Sequence, residues 1–585
     1  MKTDSKMISN LFFKLLPVQI MLVAIGSINS LIDGAIAGNY IGPIAMAMIG
    51  LYAPAIKIIE TINGVLLGGS QILCGQFLGK NQIDRTRSVF SLDMTVLILL
   101  SVVLTVMCVS MPHLIAGMLG ADIETKQGLS AYILGMAPGI LPWIMTMQLT
   151  AFLQIEQQQN RIYAGMAVMA VVNLGLDYLL ICVLHMGMLG LGLATSVSYW
   201  AVFFVMGSYY FTKKATIKYR RQGIVWSDIK DILKIGFPGA IVTFCLAVRG
   251  IILNALLLHY AGNDGVSALS ALNTCGGLLF AISAGLAAAT RLLVSIYIGE
   301  EDRASLIAVM RTALVKGVAM VCAAAVLVFV LARPISGIFF DDPASNVYRL
   351  TVLLFRIYPF CMPLSAITVI MINYFQSSSR MKIVHVLSFM DGVAGTVLSS
   401  LILAPIMGAV GIWIAHVLNG VYAIIAVVVY AYIVNIRFPV TLEKLLAIPD
   451  DFGVAEDQRL DISIHNEKEV TDTAQLVMEF CRKVGIDAKH AMYAGLCMEE
   501  MAGNIVEHGF PDGKRHLVDV RVVNRADGLL LRIKDDCRAF DPNEKLAMID
   551  PEDVTHNIGL RMVQRFAKEM SYSNVLGLNV LTILL

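Results

Sequence analysis

Charge is scarce in this sequence: only 15% of its 585 residues are Asp, Glu, Lys or Arg, against 57% hydrophobic ones. That balance excludes an ordinary soluble fold for most of the chain, whose apolar surface must face lipid instead of water. Paired cysteine spacing is missing too. Seven of the ten cysteines fall inside apolar runs, and Cys481, Cys497 and Cys537 are scattered through the tail. This argues against a zinc site or a disulfide framework, and free thiols in a reducing compartment are expected. Behind Met1 to Ser9 there is no short apolar core with a small-residue cleavage pattern, so the first helix is expected to be retained. No nucleic-acid partner is expected.

What is present is long apolar runs. Stretches able to cross the ~30 Å hydrocarbon core lie near 12–37, 44–71, 89–111, 129–154, 162–184, 188–211, 232–260, 265–290, 308–332, 348–375, 383–405 and 409–435. Basic residues cluster in alternate connections: Lys80, Arg85 and Arg87; Arg161; Lys213 to Arg221; Arg303 and Arg311; Arg380 and Lys382. The positive-inside rule then places both termini in the cytoplasm of a multi-pass cell (inner) membrane protein. From Ala447 onward the chain holds 24 of its 43 acidic residues but 16 of its 44 basic ones, which marks a second domain in a second solvent.

A shift of about 221 residues aligns the two halves of the apolar part. Pro17 meets Pro238, "MGMLGLGLA" from Met186 meets "MGAVGIWIA" from Met407, and "GQFLGKNQIDR" from Gly75 meets "SIYIGEEDRAS" from Ser295. Six helices repeated in one orientation point to a two-lobed carrier rather than a channel or an anchor. Asp33 lies in the first span, and Asn173 and Asp177, four apart, share one face of the fifth. If the two carboxylates meet, they form a site for a proton or sodium ion; a structural knot between helices is the other reading. At the same shift their equivalents are Asn254, Ala394 and Leu398, so only the first lobe keeps the carboxylates. Glu60, Arg249, Arg356 and Asp391 are further charges in the spans that either line a solute cavity or, as with Arg249 and Asp391, form ion pairs.

These features together resemble the multidrug and toxic compound extrusion (MATE) family over about Met7 to Ile436. The resemblance implies a V-shaped antiporter that exchanges a small organic, drug-like solute for inward H+ or Na+. It makes Asp33 and Asp177 the coupling carboxylates, with Asn173 as their hydrogen-bonding partner. The expected fold is an all-α polytopic membrane domain, twelve transmembrane helices in lobes 1–220 and 221–436. A linker over 437–459 leads to an α/β sandwich domain over 460–585.

In the tail the patterns predict a strand at "LDISI", helices over Glu467–Val484 and Asp487–His508, a hairpin in "HLVDVRVVNRADGLLLRIKDD", a helix from Ile558 to Met570 and a closing hairpin around Gly577. "EMAGNIVEH", "IKDDCRAFDP" and "NIGLRMV" follow in an order that resembles the ATP-binding domain of the anti-sigma-factor serine kinases, in the histidine-kinase-like superfamily. The resemblance implies ATP or ADP with Mg2+, Glu500 as catalytic base, Asn504 as Mg2+ ligand, Asp535 as acceptor for the adenine amino group and Gly559 in the last phosphate-binding box. Cys537, Ala539 and Asn557 replace glycines expected there, which favours a sensor that regulates transport over an engine. Two alternatives remain: a membrane-tethered serine/threonine kinase acting on a regulatory protein partner, and a lipid-precursor flippase.

Overall fold

The computed structural model describes residues 6–41, 43–119, 123–340, 342–450, 452–510, 516–525, 528–547 and 558–585. Among them, eleven helices are long and apolar enough to cross a membrane. They are α1 (Met7–Gly34), α2 (Met48–Gly79), α3 (Ile83–Ser110), α4 (Thr125–Ile155), α5 (Gln159–Val183), α6 (Gly187–Phe211), α7 (Asp228–Gly299), α8 (Arg303–Val330), α9 (Asn346–Ser377), α10 (Met381–Met407) and α11 (Ala409–Asn435). The 72-residue α7 breaks at Gly262, whose φ of 62° no regular helix contains. It therefore supplies two crossings, which brings the total to the twelve expected from the sequence.

Four tight turns at one end of the bundle share one design. Asn81, Gln157, Glu301 and Ser379 adopt φ of 59°, 57°, 55° and 59°, a left-handed conformation that costs a non-glycine residue about 1 kcal/mol. Each turn is closed as a Schellman motif, with bonds Gln82 N to Phe77 O, Gln158 N to Leu153 O, Asp302 N to Tyr297 O and Arg380 N to Phe375 O of 2.7–2.9 Å. The pairs Asn81/Glu301 and Gln157/Ser379 correspond across the internal repeat. The repeat also meets itself in space: the Arg291 Nε donates to Gln71 Oε1 at 2.7 Å, and these residues are 220 apart in sequence. A Cβ on Gly75 would lie 1.9 Å from Ser295 Oγ, one on Gly79 2.1 Å from Ile296 O, and one on Gly299 2.2 Å from Gln76 O. The ends of α2 and α7 thus cross on the pseudo-twofold axis between the lobes, at a distance only glycine permits, and close this end of the bundle.

After α11 the chain makes a short helical turn (Leu442–Leu445) and docks on the second lobe. Leu446 and Ile448 are buried in the apolar core of the bundle, and the Leu446 carbonyl accepts from Tyr374 Oη (3.0 Å) and Arg380 Nη1 (2.9 Å). The C-terminal domain is a five-stranded antiparallel sheet in the order β1-β2-β3-β5-β4. Its strands are β1 (Arg459–Ile464), β2 (Val518–Arg525), β3 (Gly528–Asp535), β4 (Glu569–Val575) and β5 (Leu578–Leu584). Helices α12 (Glu467–Lys483), α13 (Ala488–Gly509) and α14 (Ile558–Phe566) cover one face, burying Val518, Val520, Leu531, Ile533, Leu581 and Ile583. The last helix is shorter than the sequence pattern suggests: it ends at Phe566, and Met570 lies in β4, where alternating residues pair with β5.

Side chains alternate across a strand, so the other face of the sheet carries Asp461, Arg521, Arg525, Arg532 and Lys534. That face meets the α7–α8 turn. Arg521 bridges Asp302 and Asp461, 2.6 Å from each, Lys534 pairs with Glu300, and Arg525 lies 3.6 Å from Glu301. Arg521 and Asp302 are only 13% and 6% exposed. Burial alone would raise the Asp302 carboxyl, but Arg521, Lys534 and two bonds from Ser305 hold it well below the usual carboxylate range.

Candidate functional sites

The first site forms where two helices lose their regular winding. Asp33 stands in α1 just before a π-turn at Ala37–Ile41, and Asp177 directly precedes a second π-turn at Tyr178–Val183. Such turns offset the side chains around them and recur at functional positions. Asp177 is fully buried and Asn173, one turn earlier, is 3% exposed. Asp33 approaches Asp177, Asn173 and Thr195 of α6, yet neither oxygen of Asp177 receives a donor in hydrogen-bonding geometry. Two carboxyl groups placed together in this way repel each other when both are ionised.

The second lobe has a different centre. Asp391, in the π-turn Met390–Ala394, accepts at its carbonyl from Arg249 Nη1 (3.1 Å) and at Oδ1 from Asn419 Nδ2 (2.9 Å). Arg249 and Asp391 are therefore neighbours, but the bond between them reaches the Asp391 backbone and not its carboxylate. Glu60 instead pairs with Lys57 on α2 at 2.6 Å, and Arg356 is exposed at the end of the helix Asn346–Ile357. No hydrogen bond or ion pair among the described residues joins these two to Arg249 and Asp391.

The third site lies on the helix-covered face of the C-terminal sheet. Glu500 and Asn504 are one turn apart on α13, half-buried, with Asn504 Nδ2 donating to Glu500 Oε1 at 3.0 Å. Gly559, in the first turn of α14, presses on this pair: a Cβ there would lie 1.9 Å from the Glu500 carboxylate. Asp535 ends β3, is 3% exposed, and accepts at Oδ1 from Asn579 Nδ2 (2.7 Å) and the Cys537 amide (2.9 Å). Burial raises its carboxyl, and these two bonds oppose the rise. Cys537 fills space where the family has glycine, and the facing helix compensates, since a Cβ on Gly509 would lie 2.7 Å from its Sγ. Asn557 lies outside the described residues.

Residues 19–179 and 238–406 match the MatE family, and residues 465–584 match the Histidine kinase-like ATPase domain. The chain belongs to the MatE family. This MatE chain is 23% identical over 441 residues to the multidrug export protein MepA of Staphylococcus saprophyticus, covering 72% of this chain and 94% of that one. It is also 23% identical over 362 residues to the probable multidrug resistance protein NorM of Acinetobacter baylyi, covering 60% and 79%. Its fold is shared with a solved MATE transporter in complex with MaL6 at a TM-score of 0.67 and 18% identity, covering 73% of this chain and 97% of that one.

Two charged residues of the MatE lobes escaped the sequence patterns. Asp93 is fully buried in α3 beside Ser70, and Arg291 forms the inter-lobe bond to Gln71. A lone charge inside an apolar run was the signal available for both.

Proposed function

We propose that this protein is a cation-coupled antiporter that exports a small organic solute, and that its ATPase-like domain, on the cytoplasmic side, binds ATP or ADP to regulate transport. The observation that carries the first part is the pair of Asp33 with the buried Asp177, which the second lobe does not repeat. A carboxyl pair short of donors takes up a proton or Na+ and releases it when the helices around it move. Transport then draws on the ion gradient and needs no ATP hydrolysis.

The residues of the C-terminal site fit a nucleotide. Asp535 is a buried carboxylate held in one orientation, and Asn504 offers an amide oxygen for Mg2+ beside the Glu500 carboxylate. Bound nucleotide supplies differential binding energy between transporter states, the only means by which a ligand shifts such an equilibrium. Transport in proteoliposomes with an imposed pH or Na+ gradient, with and without nucleotide on the domain side, tests both parts. Asp33→Asn is expected to abolish gradient-driven exchange. Asn504→Ala is expected to leave exchange intact and to remove only its response to nucleotide. If Asp33→Asn transports like the unaltered protein, the coupling reading is wrong.

A further inference from the structure

The Asp535 carboxylate is the end of a hydrogen-bonded line that begins in the membrane domain. Asn579 Nδ2 donates to Asp535 Oδ1 at 2.7 Å, and Asn574 Nδ2 donates to Asn579 Oδ1 at 2.7 Å. Gln157 Nε2, from the α4–α5 turn of the first lobe, donates in turn to Asn574 Oδ1. Three amides thus all donate toward one carboxylate, the orientation in which each bond polarises the next. Tyr572 Oη steadies the middle of the line with a 2.8 Å bond to Asn579 Oδ1. Gln157 is held at its start by the left-handed turn, and the Leu576 amide reaches the Ile155 carbonyl of that turn at 3.4 Å.

The residue next to Asp535 points the other way. Lys534 faces the opposite side of β3, where it pairs with Glu300 of the second lobe and sits 5.1 Å over the Tyr297 ring. Two consecutive residues of one strand therefore connect the nucleotide site to both lobes, just beyond the glycine crossing of α2 and α7. Separating the lobes at this end must break one contact or the other.

We propose that the ATPase-like domain is a strap across the two lobes, and that adenine nucleotide at Asp535 tightens it through Gln157, Asn574 and Asn579 on one side and Lys534 and Glu300 on the other. The proposal rests on the nucleotide reading of this site. Closed lobes present Gln157 to Asn574 and so fix the Asp535 carboxylate in advance; by linkage, bound nucleotide favours closed lobes by the same factor. Gln157, Asn574 and Asn579 are positioning residues in this scheme.

The test is the affinity of the full-length protein in nanodiscs for a fluorescent ADP analogue with Mg2+. Gln157→Leu and the isosteric Gln157→Glu, which loses the donor, are compared with the exposed control Lys213→Gln. Both Gln157 variants are expected to weaken binding about 5- to 10-fold, and the control to leave it unchanged. In a double-mutant cycle, Gln157→Leu is expected to add little in an Asn579→Ala background. Nitroxide labels at positions 214 and 382 are expected to show nucleotide narrowing the distance between lobes in the unaltered protein but not in Gln157→Leu. Equal affinities in the Gln157 variants and the unaltered protein would overturn the strap alone. Absence of binding in every variant, the unaltered protein included, would overturn the nucleotide reading and the strap with it.

Discussion

Gly559 illustrates how one missing side chain shapes a site. The Glu500 carboxylate occupies the space that any larger residue at 559 would need, so Gly559→Ala must displace either the glutamate or α14. Overpacking of this kind costs about 1–3 kcal/mol, and here the displaced group is the candidate base. Gly559→Ala is expected to weaken nucleotide binding severalfold while leaving gradient-driven transport unchanged, as measured by titration and by flux in the same proteoliposomes. The sequence motif identified Glu500, Asn504, Asp535 and Gly559 as a set, and the fold places the three described boxes around one face. It gave no sign of Asn579, because an asparagine in a short terminal strand has no fixed spacing from the motif. Only the β3–β5 register, Asp535 opposite Asn579, brings the two together.

At the scale of elements, the α2–α7 crossing makes a prediction that runs against helix propensity. Alanine is the better helix former by about 1 kcal/mol, so Gly79→Ala would stabilise an isolated α2. In the folded protein its Cβ would lie 2.1 Å from the Ile296 carbonyl, and backbone does not yield as a flexible side chain does. Gly79→Ala is therefore expected to shift the lobes apart at this end, seen as a longer distance between labels at positions 214 and 382. The spans themselves were legible because long apolar runs allow few other structures in lipid. Hydrophobicity says nothing about which helices cross at an axis. The repeat shift of 220 residues held that information only once Gly75 and Ser295, or Gln71 and Arg291, were seen to meet. The charged face of the sheet was hidden for a related reason: Asp461, Arg521, Arg532 and Lys534 alternate with apolar residues as they would on a solvated sheet, so their burial against the bundle left no trace in the pattern.

For the molecule as a whole, the docking of domain on bundle depends on ionised Asp302. Its carboxyl is depressed in the folded state, so its contribution is fully present above the unfolded value near 4. That contribution is lost as pH falls through the lower folded value. Docking is expected to be insensitive to pH across the neutral range, and, because Arg521 and Asp302 are buried, only weakly sensitive to salt. Asp302→Asn is expected to raise hydrogen exchange in β2 and β3 at neutral pH. Unchanged exchange in that variant would show that the apolar contacts alone hold the domain in place.

The buried part of the linker ties the domain to one lobe. Leu446 and Ile448 are sunk in the bundle, and Tyr374 and Arg380, which grip the Leu446 carbonyl, belong to the second lobe. The domain is thereby mounted on that lobe, and it meets the first lobe at the Gln157 turn and beside α1, where a Cβ on Gly577 would lie 3.3 Å from Lys14 Nζ. It resembles a pawl fixed to one wheel and resting on the tooth of another. If the domain straps the lobes as proposed, the contact expected to disengage in each transport cycle is the Gln157–Asn574 bond, whose line ends at the Asp535 carboxylate.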